Sequence, residues 1–267
     1  GRDADSVNEA ISALMALNAE VAEHEFTGKQ ILQMAFDVTS AAYQNGGLLP
    51  GITTGLCELD GVLGGWHNSD LSIIGGRPAM GKTAFMLNFL YLNQGSHLIR
   101  YMTSEMSKQQ MKSRLSKFNI GEDEWQFEPI RCSRGFADKI LPDSVNVIDY
   151  LEVDGENPSM VVNELRDIFD ALKSGFVLVG LQKKQDERRY SQVGKQYSVK
   201  YNLGRGGEFS KEKARLYIVM DFDELRIEKA SNRRDDDAPP LKGRRWGFRL
   251  YKGCRFEDVY EKTEEEE

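Results

Sequence analysis

The strongest constraint on the fold of this chain is the eight-residue run Gly76-Arg77-Pro78-Ala79-Met80-Gly81-Lys82-Thr83. It fits the spacing G-x-x-x-x-G-K-[ST] without a gap. Glycines let the backbone wrap around phosphate oxygens, and the N–H groups at the start of the following helix point at the negative charge. A lysine at this spacing reaches the β- and γ-phosphates, and the next hydroxyl is a Mg²⁺ ligand. All eight residues are therefore predicted to bind ATP, with Lys82 catalytic and Thr83 a metal ligand.

The segments around this run alternate between short apolar stretches and helical patterns. An apolar strand is predicted at 71–74 immediately before the run, and a helix at 82–92 after it. Near-continuous apolar strands that alternate with amphipathic helices predict a parallel sheet covered by helices, that is, an α/β fold. Further strands are expected at 98–103, 145–148 and 176–181, and further helices at 108–118 and 159–173.

The two ends of the chain differ from this alternating middle part. Residues 5–45 carry helical spacing of apolar residues in two stretches, which predicts an N-terminal helical appendage. Strands expected at 215–220, 225–229 and 246–251 follow one another closely and predict antiparallel hairpins. The acidic end is expected to be disordered. The predicted organisation is an appendage at 1–50, a nucleotide-binding domain at 51–257 and an acidic tail at 258–267.

Hydrolysis requires carboxylates beyond the phosphate-binding run. Asp149 follows the apolar strand at 145–148, where a second Mg²⁺ ligand is expected. Glu105 follows the strand at 98–103 and is a candidate general base for the attacking water. Glu152 and Asp154 lie just past Asp149 and are rival candidates for the base.

Charge is distributed unevenly along the chain. The net charge is −7, yet residues 183–252 carry 19 Lys+Arg against 11 Asp+Glu, a net charge of +8. Within that region the segment 183–205 combines seven cations and two acids with three tyrosines. Single-stranded nucleic acid needs cations along its phosphates and aromatic faces for its bases. The candidate DNA contacts are Lys183, Lys184, Arg188, Arg189, Lys195, Lys200 and Arg205.

Other site classes find little support in the sequence. The three cysteines and three histidines have neither disulfide-framework nor zinc-site spacing. No window approaches the length of a transmembrane helix, and the first residues do not resemble a signal peptide. A cytoplasmic location in a bacterial or phage-infected cell is the expectation, with no membrane partner.

Several of these segments, taken in chain order, resemble the RecA-like ATPase domain of DnaB-type replicative DNA helicases, especially phage-like relatives. The lead-in Thr54-Gly55-Leu56-Cys57-Glu58-Leu59-Asp60 with Gly64-Gly65-Trp66 is similar to that family's TG-x-x-x-LD and GG pair. The run ending at Thr83 is similar to its GRPxMGKT form. The remaining matches are Ser104-Glu105-Met106-Ser107, Ile148-Asp149-Tyr150-Leu151 and Val179-Gly180-Leu181-Gln182.

The resemblance runs from about residue 51 to 256 and implies a role for each matching residue. It implies that Glu105 is the catalytic base, that Asp149 is the Walker B aspartate that holds Mg²⁺, and that Gln182 senses the γ-phosphate. It implies a RecA-like core with a mainly parallel central sheet, and a homo-oligomeric ring for which a hexamer is one option. Single-stranded DNA and a primase or loader are the implied partners.

One motif departs from the family pattern. The family places a lysine and an arginine that act on the neighbouring subunit's ATP as K-x-R, whereas this chain reads Lys229-Ala230-Ser231. Lys229 matches, serine replaces the arginine, and Arg233 or Arg234 is the candidate substitute.

Three functions are compatible with the sequence. The leading one is an ATP-dependent translocase, a replicative helicase. The missing arginine favours a second, a recombinase-like or regulatory DNA-binding ATPase without unwinding activity. The third is a nucleotide-gated assembly module that docks through residues 1–50.

Overall fold

The computed structural model describes residues 52–63, 66, 70–151, 158–183, 187–190, 196–199, 203–231, 237 and 239–262. The chain divides between residues 50 and 51 into two units, and the described residues all belong to the second. The predicted appendage at 1–50 therefore lies outside the described residues.

A nine-stranded sheet forms the centre of the described unit, with the strand order β11-β10-β9-β8-β1-β5-β4-β2-β3. The strands β1 to β5 are all parallel, and β8 joins β1 in parallel as well. They are β1 (Leu71–Gly76), β2 (Ile99–Thr103), β3 (Glu128–Arg131), β4 (Val145–Asp149), β5 (Phe176–Gln182) and β8 (Leu216–Asp221). The predicted parallel sheet is thus observed, because βαβ crossovers return each strand in the same direction.

The late strands pair as antiparallel hairpins beyond β8, as the sequence predicts. These are β9 (Glu224–Ala230), β10 (Arg245–Tyr251) and β11 (Arg255–Glu261), each of which pairs with its neighbour in the chain. The predicted tail at 258–267 is wrong in its first residues, since β11 runs through them and Gly247 pairs with Tyr260. The domain therefore extends past residue 257, and residues 263–267 lie outside the described residues.

Helices cover both faces of the sheet. They are α1 (Cys57–Leu63), α2 (Lys82–Asn93), α3 (Lys108–Leu115) and α4 (Pro158–Asp170), with short 3-10 turns at Ser116–Phe118, Glu122–Glu124, Ala137–Lys139 and Gly207–Lys211. One buried apolar cluster lies on the α2 face and includes Phe85 and Phe89, and a second lies on the α4 face and includes Leu165 and Ile168. Strands buried on both faces explain the near-continuous apolar runs in the sequence.

Two features were not predicted. The edge strand β3 contains Pro129 and is largely exposed, so it lacks the apolar signature of the other parallel strands. The basic segment at 183–205, which shows no strong periodicity, contains a separate hairpin of β6 (Glu187–Tyr190) and β7 (Gln196–Val199). Charged residues dominate β6, so it lacks the alternation of apolar and polar residues by which a strand is predicted from sequence.

The lead-in at 53–60 has a structural role in the fold. The carboxylate of Asp60 accepts hydrogen bonds from the Thr53 hydroxyl and, at 2.8 Å, from the backbone N–H of Thr54. Trp66 packs against Phe89 and Phe176, with ring centroids 5.2 and 5.1 Å apart. The lead-in therefore closes one end of the α2-side core.

Candidate nucleotide site

The phosphate-binding run occupies the turn between β1 and α2. Gly81 precedes the helix with φ of 94°, in the left-handed region where a side chain would be strained, and Ala79 has φ of 64°. The helix begins directly after this turn, and the N-terminus of a helix attracts an anion through its free N–H groups and its dipole. Such a loop fits the triphosphate that the sequence predicts.

Lys82 is buried, at 8% exposure, beneath this loop. Its ammonium donates hydrogen bonds of 2.8 Å to the carbonyl oxygens of Gly76 and of Arg77. Burial lowers the pKa of Lys82, while the nearby Asp149 and Glu105 carboxylates oppose that shift. The lysine therefore contacts the backbone of the loop and is close enough to both predicted carboxylates to feel their charge.

Asp149, at the carboxyl end of β4, meets the loop through Thr83. The Thr83 hydroxyl donates to Asp149 Oδ1 at 3.1 Å across 66 positions of sequence. Burial raises the pKa of Asp149 above its ordinary value, although hydrogen bonds from Tyr101 and Thr83 act in the opposite direction. A hydroxyl and a carboxylate at this separation are suited to share one Mg²⁺.

Tyr101 is a site residue that the sequence did not reveal. Its hydroxyl donates to Asp149 Oδ2 at 2.5 Å, and the side chain is fully buried in β2. Burial, followed by the charge of Asp149, raises the pKa of Tyr101 well above its ordinary value, so it remains a proton donor. A tyrosine in an apolar strand resembles a core residue, and only the pairing of β2 with β4 reveals its partner.

Glu105 lies in the turn between β2 and α3, with its side chain exposed. Met106 N donates to the Thr103 hydroxyl at 3.2 Å, and Ser107 begins α3 with a capping box that involves Gln110. The turn is thus fixed on both sides of Glu105. Its rivals Glu152 and Asp154 lie outside the described residues.

Gln182 ends β5 beside the start of the loop, where it pairs with Gly76. Its carbonyl accepts a hydrogen bond of 2.9 Å from the N–H of Arg205, and Lys183 N donates to the Gly76 carbonyl at 2.9 Å. The two ends of the basic segment therefore leave the sheet side by side, next to the phosphate loop.

Lys183 requires a correction. Its side chain is 3% exposed and forms an ion pair of 2.9 Å with Asp221 at the end of β8. A buried, paired ammonium is not available to DNA phosphates, so Lys183 is removed from the predicted contacts. Arg205 is exposed. Arg188 and Arg189 lie in β6, where only the backbone is described, and Lys184, Lys195 and Lys200 lie outside the described residues.

Of the residues predicted to act on a neighbouring subunit, Lys229 alone is described. Its ammonium donates to the carbonyl of Lys211 at 2.8 Å and is half-buried. The pKa of Lys229 is lowered mainly by burial and to a smaller extent by the charges of Arg215 and Lys211. Arg233 and Arg234 lie outside the described residues.

Two other kinds of site are absent from the described part of the chain. These residues contain no cluster of histidine, cysteine and carboxylate side chains able to hold a metal. Their helices are all too short or too polar to cross a membrane.

Comparisons with known proteins agree with the resemblance seen in the sequence. Residues 51–128 match the DnaB-like helicase C-terminal domain family. The replicative DNA helicase DnaB of Rickettsia bellii is 29% identical over 178 residues, which cover 61% of this chain and 35% of the relative. That of Geobacillus stearothermophilus is 34% identical over 103 residues, 36% of this chain and 23% of the relative. The chain thus spans about a third or less of the length of these relatives.

Solved structures confirm the RecA-like fold. One solved ATPase domain superposes with a TM-score of 0.63 at 16% identity, covering 87% of this chain and 98% of that domain. A DnaB-like replicative helicase described with its primase interactions gives a TM-score of 0.53 at 17% identity, covering 94% and 71%. The match to the family and to its relatives thus confirms the resemblance to DnaB-type helicases, and the solved structures confirm the α/β fold.

Proposed function

We propose, from this resemblance and from the site geometry, that the chain is an ATP-dependent translocase on single-stranded DNA, the motor domain of a replicative helicase that acts in a ring. The observation that carries the proposal is the 3.1 Å contact between Thr83 and Asp149. It joins the phosphate loop to a buried carboxylate at the edge where parallel strands end, and ligand sites in open α/β sheets form at that edge.

The roles follow from what each group is able to do. The loop from Gly76 to Thr83 binds the phosphates, and Lys82 supplies positive charge within it. Thr83 and Asp149 hold Mg²⁺, which when bound neutralises charge on the phosphates. Tyr101 fixes the orientation of the Asp149 carboxylate by donating to its second oxygen.

Glu105 is assigned the role of base for the attacking water. It is exposed and directly follows β2, two strands beyond β5, in a turn fixed by Thr103 and Ser107. A positioned carboxylate of this kind contributes about 10² to 10⁴ in rate. Gln182 is assigned the role of reporting the γ-phosphate to the basic segment that follows it, and its register with Gly76 supports this.

Coupling to DNA is assigned to the segment between Lys183 and Arg205. Both ends are tied to the site, by Lys183 N to Gly76 O and by Arg205 N to Gln182 O. A change at the γ-phosphate therefore acts on both ends of this segment, which contains the β6–β7 hairpin with Arg188 and Arg189. Many nucleotide-driven proteins move in this way: one segment shifts or becomes ordered when the γ-phosphate is present and is released after hydrolysis.

Ring assembly and a primase or loader partner are part of the proposal, with Lys229, Arg233 and Arg234 as candidates to act on a neighbouring subunit. The serine at 231, in place of the expected arginine, favours the alternative of a recombinase-like or regulatory DNA-binding ATPase without unwinding activity.

Steady-state ATP hydrolysis, measured with and without single-stranded DNA, tests the proposal. Strong stimulation by DNA is expected. Hydrolysis that ignores DNA would contradict a DNA-coupled motor and leave a nucleotide-gated assembly module. A strand-displacement assay then separates the helicase from the alternative, since only the helicase releases the complementary strand.

A further inference from the structure

Phe222 is a large apolar side chain left in solvent beside the phosphate loop. It occupies the turn between β8 and β9 and is 79% exposed. The strand that leads into this turn is the direct neighbour of β1, with Met220 in register with Gly76. A single exposed phenylalanine is common on a protein surface, so what distinguishes Phe222 is its position, two residues past Met220 at the end of the strand beside the phosphate loop.

The strand that leads to Phe222 has one face against the phosphate loop. Ile218 and Met220 belong to the apolar cluster on the α2 face, whereas Tyr217 and Val219 belong to the cluster on the opposite face. Phe222 comes next, as the first residue of the two-residue turn that joins the paired residues Asp221 and Glu224. The Met220 Cε atom lies 3.3 Å from the position that a Cβ on Gly81 would take, so the α2 face of the strand borders the phosphate loop.

The carboxylates beside the phosphate loop determine which way a bound nucleotide extends. Asp149 contacts Thr83 from β4, and Glu105 follows β2, so the reacting γ-phosphate end faces β5, β4 and β2. A chain of three phosphates that ends there must extend its nucleoside the other way, across β8 and the hairpins beyond. Adjacent strands are about 4.8 Å apart, so one or two strands span the distance from the loop to a ribose and base.

The turn that carries Phe222 is held in place on both sides. Asp221 forms the ion pair with the buried Lys183, and the backbone N–H of Phe248 on β10 donates to the carbonyl of Asp223 at 3.1 Å. Leu250, also on β10, lies 3.8 Å from the position of a Gly81 Cβ and extends the apolar surface started by Met220. These contacts anchor the turn to the sheet on both sides of Phe222.

We propose that Phe222 is the stacking surface for the base of the bound nucleotide, with Met220 and Leu250 as the apolar floor between it and the phosphate loop. The proposal rests on the proposed ATP site and adds its nucleoside end. An aromatic ring accepts the flat face of any base, because stacking is insensitive to the base's hydrogen-bonding groups. Phe222 thus raises nucleotide affinity and has no part in the chemistry, which takes place on the far side of the loop.

Equilibrium binding of ATP and of inorganic tripolyphosphate to the full chain tests the proposal. Tripolyphosphate carries the same phosphates without a base. Phe222→Ala is expected to weaken ATP binding about tenfold, within the range known for base–aromatic stacking, and to leave tripolyphosphate binding within twofold of wild type. Phe222→Trp should restore ATP binding, and the KM for ATP should rise in Phe222→Ala with kcat unchanged.

Phe209→Ala is the matched control. Phe209 is 70% exposed and lies in the 3-10 turn Gly207–Lys211, on the α4 side of the sheet, so its loss should leave ATP binding unchanged. ATP binding by Phe222→Ala within twofold of wild type would overturn the stacking role while leaving the ATP site intact. An equal loss for ATP and tripolyphosphate would overturn it too, because the phosphate loop would then be disturbed. Wild-type protein that binds neither compound would remove the proposed function together with this inference.

Discussion

The parallel half of the sheet, β1 to β5 with β8, and the antiparallel half, β9 to β11, use polar residues differently. In the parallel half Lys82, Tyr101 and Asp149 are all buried at one edge, although they are far apart in sequence. In the antiparallel half, charged pairs such as Arg249 with Glu257 at 2.9 Å are surface pairs between neighbours on a hairpin. Parallel strands bring distant residues to a common edge, whereas hairpins bring together residues that are already close.

The buried charges of the parallel half lower the folding stability, whereas the exposed charged pairs of the hairpins have little effect on it. Burial shifts the pKa values of Lys82 and Asp149 towards the neutral forms, so both charges cost folding free energy, a pattern that is common at functional sites. Exposed hairpin pairs are worth about 0–1 kcal/mol and are compatible with any function. If function is confined to the parallel edge, substitutions there should have the largest effects on turnover.

Lys82→Ala should abolish ATP hydrolysis, with turnover at least about 10³-fold below wild type, because the loop then lacks its positive charge where transition-state charge develops. A phosphate-release assay measures this. Lys117→Ala, which removes an exposed lysine from the 3-10 turn after α3, is the control and should turn over normally. Turnover of Lys82→Ala near the wild-type rate would refute the site assignment.

Glu105→Gln should bind ATP normally and lose about 10²-fold or more in kcat, since the amide cannot accept the proton of water. Binding and turnover are measured separately on the same preparation. Glu152→Gln provides the comparison and should retain turnover. The reverse pattern would move the base from the end of β2 to the segment that follows β4.

Asp149→Asn should lose hydrolysis yet raise the melting temperature of the ligand-free protein at pH 7–8. Burial raises the folded-state pKa of Asp149, so the charged wild-type side chain costs folding free energy above that pKa and this cost disappears as the pH falls through it. The gain in melting temperature should therefore shrink towards acidic pH. A variant less stable than wild type across the whole range would mean that the carboxylate is structural.

Lys183→Met and Arg205→Ala should separate stability from DNA contact. Lys183 is buried in its pair with Asp221, so its replacement should lower the free energy of unfolding by about 1–3 kcal/mol. This loss is smaller than for a fully buried pair, because solvent screens Asp221, which is 39% exposed. Arg205 is exposed and should affect only DNA-stimulated turnover. Denaturant unfolding and DNA titration report the two effects. Loss of DNA stimulation at constant stability in Lys183→Met would restore Lys183 as a DNA contact.

The parallel edge was predictable from the sequence because each of its main residues follows an apolar strand. Asp149 and Gln182 stand at strand ends beside a loop of known spacing, and parallel strands end at one edge. Tyr101 was not predictable, since its partner is 48 positions away and depends on the register of β2 with β4.

The basic segment shows where sequence reasoning failed. The basic, tyrosine-containing composition of residues 183–205 predicts that Lys183 contacts DNA, but its side chain is buried and pairs with Asp221. The hairpin of β6 and β7 was missed because charge masks strand periodicity. Both errors fall just beyond the parallel strands, where local pattern no longer determines the surroundings of a side chain.

The most direct test of a nucleotide-coupled DNA motor is the affinity for single-stranded DNA with and without a non-hydrolysable ATP analogue, at low and at moderate salt. Gln182 and the two ends of the basic segment lie together at the phosphate loop, so the analogue should tighten DNA binding and DNA should tighten analogue binding by the same factor. Both affinities for DNA should weaken with salt. Equal DNA affinity in the two states would contradict the link between the nucleotide site and the basic segment.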